Sequence, residues 1–136
     1  AYFRDEVEPH LDGNRIRFVG PVGPGERDEL LGGGLALLHL VTFDEPFGLA
    51  MIESMACGTP VIVSNIASLP EVVGQAGLLV DPYSVDQIEQ ATRTITSDKK
   101  LRLKYSKLGL EQVKKFSRDK MAKQVLKVFE KVGKVV

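Results

Sequence analysis

Residues Glu45 to Pro60 read EPFGLAMIESMACGTP, and this run decides the fold. Pro46 fixes its own φ and pushes Glu45 into an extended conformation, so Glu45 belongs to a loop. A helix opens at Phe47-Gly48-Leu49 and ends at Gly58, before Thr59-Pro60 and the apolar strand Val61-Ile62-Val63. Gly48 has no Cβ to keep a ligand from the backbone. The first N–H groups of the helix, near Gly48, Leu49 and Ala50, lack intrahelical acceptors and face phosphate or sugar oxygens. Leu49, Ile52, Met55 and Ala56 repeat at helical spacing as the expected buried face. Glu53 lies roughly 7–8 Å along the axis from Gly48, about the span from a diphosphate to a ribose. A carboxylate accepts well from a vicinal diol, so Glu53 suits ribose hydroxyls and Glu45 suits sugar hydroxyls.

Working outward, strand and helix signals alternate. Tyr2 to Leu11 reads as a short helix and Arg15 to Val19 as a strand. Glu26 to Leu31 reads as a helix closed by Gly32-Gly33-Gly34. Leu35 to Val41 is a continuous apolar run, expected as a strand buried on both faces. After Val61–Val63 come a short helix over Pro70 to Gly74 and a strand over Gly77 to Val80. The rest is helical: Val85 to Thr96, Lys99 to Phe116, and a last helix from near Ser117. Ile88, Ala91, Thr92 and Ile95 are expected to face inward, as are Met121, Val125, Val128, Phe129 and Val132. This alternation predicts an α/β fold, a parallel Rossmann-like sheet with helices on both faces. Ligands bind such sheets beyond the carboxyl ends of the strands, where the 45–60 helix begins.

The chain has 136 residues, one domain by length, and is 43% hydrophobic and 26% charged. That composition excludes disorder. No apolar run approaches the length of a membrane span and no signal peptide is visible, which points to the cytoplasm. A single cysteine, Cys57, excludes an internal disulfide and reads as a small filler. Net charge is zero, but residues 1–97 sum to −9 and residues 98–136 to +9. The basic 98–136 segment is either a solvated helical surface or a peripheral membrane contact. It lacks the aromatic interleaving that stacks on bases, so no nucleic-acid partner is expected. The two histidines fit neither a metal cluster nor a nucleophile elbow. His39 reads as a satisfied core histidine rather than a base, His10 as a surface residue, and Glu71 as a first-turn acid. Phe47 reads equally as a site residue or as a hydrophobic plug at the helix entry.

The Glu45–Pro60 run resembles the Glu-x7-Glu signature of retaining glycosyltransferases with the GT-B fold. These form the GT4-like group, glycosyl transferases group 1, which includes bacterial mannosyl- and glucosyltransferases. RIRFVGPV (Arg15 to Val22) and SLPEVVGQAGLLVDP (Ser68 to Pro82) are similar to the same family. The resemblance implies a C-terminal donor-binding domain over 1–136, with 85–136 its helical part. It places the donor sugar and phosphates on Glu45, Phe47, Gly48 and Leu49, the ribose on Glu53, and the base near Gly20, Pro21 and Val22. No residue is marked as a nucleophile. The substrate implied is a nucleoside diphosphate sugar, with no cofactor and no metal. The parent enzyme implied moves a hexose to a hydroxyl acceptor with retention.

Such a domain ordinarily opens with a strand, a helix and a second strand, including a basic diphosphate clamp, ahead of the residues seen here. Its acceptor domain is absent too. The chain is therefore expected to be a fragment, inactive alone. Arg15–Val19 is expected either to pair directly with Leu35–Val41 or to leave edges for a strand-mediated dimer. The alternative class is a non-catalytic interaction or assembly module of the same fold, with a membrane-docking tail.

Overall fold

A computed structural model describes residues 2–133. At its centre are three parallel strands in the order β1-β2-β3: β1 (Leu37–His39), β2 (Val61–Ser64) and β3 (Gly77–Val80). Leu38 stands opposite Ile62, and Ile62 opposite Leu78. The helices are α1 (Pro24–Gly33), α2 (Leu49–Ala56), α3 (Leu69–Val73), α4 (Val85–Ser97), α5 (Lys99–Val113) and α6 (Arg118–Gly133). This is the α/β architecture expected, a parallel Rossmann-like sheet flanked by helices.

Every residue of β2 is buried, because helices cover both faces of the central strand. On one face Val61 and Val63 meet Met51 and Met55 of α2 and Leu69, Val72 and Val73 of α3. On the other, Ile62 and Val80 meet Ile95, with Ile88 and Ala91 of α4 packed around them. The inward face expected for α4 is therefore the one observed.

Local chemistry sets the helix ends. The Ser84 side chain accepts from the Gln87 N–H, and Asp98 accepts from the Leu101 N–H, capping α4 and α5. Two polar ties hold the loops to the core. Ser64 Oγ accepts from the Val41 N–H and donates to the Val41 carbonyl, binding the end of β1 to β2. Thr59 Oγ1 donates to the Leu31 carbonyl at 2.6 Å, anchoring the end of α1.

Tyr2 to Leu11 is helical, as expected, a π-helical turn (Phe3–Val7) followed by a 3₁₀ turn (Glu8–His10). Four other expectations fail wholly or in part. Arg15–Val19 is no strand. The Asp12 carboxylate gathers the Asn14, Arg15 and Ile16 N–H groups, at 2.9, 2.6 and 2.8 Å, that a ladder would have used. Ile16, Phe18 and Val19 stay exposed. Direct pairing with Leu35–Val41 therefore does not occur. β1 is only three residues long, and its outer edge pairs with no other described strand. Lacking that neighbour, Leu35 and Leu38 are exposed, and the expected burial on both faces is only partial: Leu37 and Val41 pack against one core, Ala36 and Leu40 against the other.

The third correction concerns α2. Its buried residues are Met51, Ser54 and Met55, whereas Leu49 and Ala56 are exposed and Ile52 is half-buried. A Cβ at Gly109 of α5 would lie 3.2 Å from Met55 Cβ, so the bare glycine lets α5 pack directly over Met55, which was among the residues expected to be buried. The fourth concerns α6, which contributes no buried residue. Met121, Val125, Val128, Phe129 and Val132 face solvent, because no other described element covers them. The last three residues of the basic segment, 134–136, lie outside the described residues.

Candidate functional site

The loop after β1 turns at Asp44-Glu45-Pro46 and enters α2 through Gly48. Gly48 is buried, with φ +75°, in the left-handed region. A Cβ at this position would come within 2.9 Å of Leu69 Cδ2 and 3.3 Å of Met51 Cε. The glycine is thus required by backbone conformation and by the core behind it, rather than only by an approaching ligand. Its outward side is the start of α2. The Gly48 carbonyl accepts from the Met51 and Ile52 N–H groups, so the Leu49 and Ala50 N–H groups precede the first intrahelical bonds.

Glu45 is held at this turn from two directions. Its backbone carbonyl accepts from Ser68 Oγ at 2.7 Å. Its Oε1 accepts from the Gly48 N–H at 3.1 Å and, more weakly, from the Phe47 N–H at 3.5 Å. The carboxylate therefore sits on the positive end of α2, where the helix dipole favours it. The Gly48 amide, expected to meet a ligand, is occupied by Glu45; the Leu49 and Ala50 amides remain at the helix mouth.

Glu53 lies farther down α2, and the structure gives it a partner that sequence spacing did not suggest. Arg27 of α1 donates from Nη1 to Glu53 Oε1 at 2.7 Å while its Nε and Nη2 hold Asp28. Asp28 first, and the charge of Glu53 after it, hold the Arg27 guanidinium above its ordinary pKa. A carboxylate offers about four acceptor positions, so one arginine leaves room for a diol. Gly20, Pro21 and Val22 lie in the loop that leads into α1, and Gly20 takes a positive φ of +69°. Arg27 of α1 thus links the helix that follows this loop to Glu53. The packing of α1 on α2 brings positions 27 and 53 within reach of an arginine, and no local pattern marks it.

His39 on β1 lies behind the turn. Its Nε2 is buried without a hydrogen-bond partner among the described residues, so the satisfied core histidine expected is not what is found, and it stands 3.4 Å from where a Gly48 Cβ would be. Phe47 is half-buried and meets Phe116 edge-on at 5.4 Å between ring centroids, which favours the plug reading of its two alternatives. Beside them opens a cleft of about 600 Å³ lined by Phe47, Leu49, Ile52, Phe116 and Met121, with Lys115, Arg118 and Lys120 around it. His10 and Glu71 are exposed, as surface residues should be, and Cys57 is half-buried.

Residues 1–112 match the family described as glycosyl transferases group 1. The chain belongs to that family. It is 38% identical over 115 residues to O-antigen chain mannosyltransferase B of Escherichia coli, covering 85% of this chain and 30% of that protein. It is 34% identical over 105 residues to D-inositol 3-phosphate glycosyltransferase of Corynebacterium glutamicum (strain R), covering 76% and 25%. Among solved structures, the sucrose-phosphate synthase of Thermosynechococcus elongatus superposes with a TM-score of 0.82 at 29% identity, covering 91% of this chain and 32% of that one. The chain thus spans a quarter to a third of the length of these relatives. Glu45 and the whole of α2 with its Glu53 lie within the matched residues, so both glutamates belong to a glycosyltransferase-family domain.

Proposed function

We propose that this glycosyltransferase-family domain binds a nucleoside diphosphate sugar and belongs to a retaining enzyme that passes a hexose to a hydroxyl acceptor. The observation that carries the reading is the arrangement at α2. Glu45 is locked onto the Gly48 N–H at the helix mouth, and Glu53 is oriented by Arg27 farther along the same helix. In this reading the Leu49 and Ala50 amides take phosphate oxygens, as a helix N-terminus favours anions. Glu53 accepts from the ribose hydroxyls and Glu45 from the sugar hydroxyls. The base lies against Gly20, Pro21 and Val22. Catalysis is electrostatic: fixed amide dipoles stabilise charge developing on the departing diphosphate, and neither glutamate attacks the sugar. No cofactor or metal is required by this scheme.

In this reading the 136 residues alone, which span 30% of the length of the mannosyltransferase they resemble, should show no glycosyl transfer, since transfer needs the acceptor held against the donor. Calorimetric titration with common nucleoside diphosphates tests the reading. Saturable, weak binding is the expected result. Heats indistinguishable from dilution for every nucleotide would remove the donor-site assignment.

A further inference from the structure

We propose that Ser68 is a positioning residue for sugar recognition: its hydroxyl fixes the Glu45 backbone and so holds the Glu45 carboxylate ready for a hydroxyl of the donor sugar. The inference rests on the reading above, in which Glu45 accepts from the sugar, and adds the group that presents it. Ser68 stands at the N-cap of α3, where a serine ordinarily accepts from the first N–H groups of its helix. Its side chain makes no such bond. The hydroxyl donates instead to the Glu45 carbonyl at 2.7 Å, across 23 positions of sequence. The residue before it is unusual too. Among the described residues Ala67 alone of the non-glycines has a positive φ, +50°. A residue with a Cβ disfavours that conformation, which persists where its surroundings impose it. The turn from β2 into α3 is thus bent at Ala67, and the serine that follows serves a neighbouring loop rather than its own helix.

The loop that carries Glu45 is gripped twice from this one turn. Ser64, fully buried at the end of β2, bonds both the N–H and the carbonyl of Val41. Ser68, four residues on, holds Glu45, four residues beyond Val41. Between these anchors Thr42, Phe43 and Asp44 are exposed. Leu69, next to Ser68, fills the space behind Gly48. The start of α3 therefore sets both ends of the Glu45–Gly48 turn. With its backbone fixed, Glu45 rests Oε1 on the Gly48 N–H at 3.1 Å, while its Oε2 meets no hydrogen-bond donor among the described residues. That second oxygen has its lone pairs left for a sugar hydroxyl. Holding the acceptor in place beforehand removes freedom that binding would otherwise have to remove. Without the Ser68 hydroxyl, Glu45 would be tied to β2 only through three exposed residues and Val41.

Two measurements on the full chain test this, with Ser68→Ala and Ser68→Thr beside the wild type. The first needs no ligand. The Gly48 N–H has Glu45 Oε1 as its partner, so its hydrogen exchange, followed by NMR, reports whether the carboxylate stays in place. Ser68→Ala should speed that exchange by about tenfold or more. Ser68→Thr, which keeps the hydroxyl, should restore it, and the β2 amides should exchange as before in both variants. The second measurement is calorimetric titration with uridine diphosphate and its glucose ester, and with guanosine diphosphate and its mannose ester. Ser68→Ala should weaken binding of a sugar ester about three- to tenfold and leave the plain diphosphate within about twofold, with Ser68→Thr close to the wild type. Gly48 exchange that ignores Ser68→Ala would overturn the proposal. So would equal weakening of ester and diphosphate, which is a merely structural effect, or an ester affinity that does not change. A wild type that binds none of the four probes, while Gly48 exchange still responds to Ser68→Ala, would remove the donor-site reading and the sugar role of Ser68 with it.

Discussion

Glu53→Gln separates a ligand role from a structural one, because the structure limits how much stability Glu53 can supply. Its ion pair with Arg27, at 2.7 Å, joins side chains that are 34% and 38% exposed. Pairs this open to solvent contribute about 0.2–1 kcal/mol. The substitution should therefore lower the melting temperature by no more than about 5 °C in a domain of this size. Ribose recognition is a larger effect. Losing a charge-assisted hydrogen bond costs about 1.5–3 kcal/mol, or roughly ten- to a hundredfold in Kd. The paired assay is a thermal melt and a calorimetric titration with a nucleoside diphosphate on the same two proteins. Arg27→Ala provides the control. It keeps the carboxylate but frees its rotamer, so binding should weaken only about two- to tenfold. Unchanged affinity in Glu53→Gln would refute the ribose role. A melting temperature lowered by well over about 10 °C would show that Glu53 is a structural clamp and that the pairing with Arg27 has been undervalued.

Three other outcomes are expected. Gly48→Ala must place a Cβ at φ +75° and 2.9 Å from Leu69 Cδ2; the left-handed backbone and the crowding together should destabilise the domain by about 2–5 kcal/mol, and urea titration giving native stability would contradict that geometry. Asp12 is lowered from 3.8 to about 2, chiefly by the Ile16 and Asn14 N–H groups and then by Arg15. A depressed folded pKa stabilises the Asp12–Ile16 turn above the unfolded value and is lost as pH falls through the folded one. Amide signals of 14–16 should therefore shift between about pH 4 and pH 2, and an Asp12 titration midpoint at the ordinary carboxylate value would count against the turn. The bare edge of β1 should pair with a second chain, giving a dimer by sedimentation that Leu38→Lys abolishes by charging the edge; a monomer at every concentration would dismiss the strand-mediated assembly.

What was legible in the sequence, and what was not, divides along one physical line. Helix and strand ends depend on residues within a few positions of one another. Ser84, Asp98 and the glycines at 58 and 74 punctuate the chain locally, and α4, β2 and β3 lie within about two residues of their predicted bounds. Glu45 is equally local, since its bond to Gly48 spans three positions. Burial is different, because an apolar run needs a partner before it can be buried. Arg15–Val19 and Leu35–Val41 each have the apolar content of a strand, yet the first pairs with no described strand and the second with β2 on one edge alone. The Asp12 carboxylate, moreover, competes for the N–H groups of the first. On α2, apolar residues occupy more than one side, so the pattern alone does not select Met51 and Met55 over Leu49 and Ile52. Gly109, on a helix far along the chain, lets α5 approach Met55, and Met51 is buried against the sheet and α3. Arg27 reaching Glu53 is a distant pairing of the same kind. It follows that the α6 stripe, read from sequence as an inward face, was correctly recognised as apolar but wrongly given a partner. A helix pattern specifies which side avoids water and leaves open what covers it.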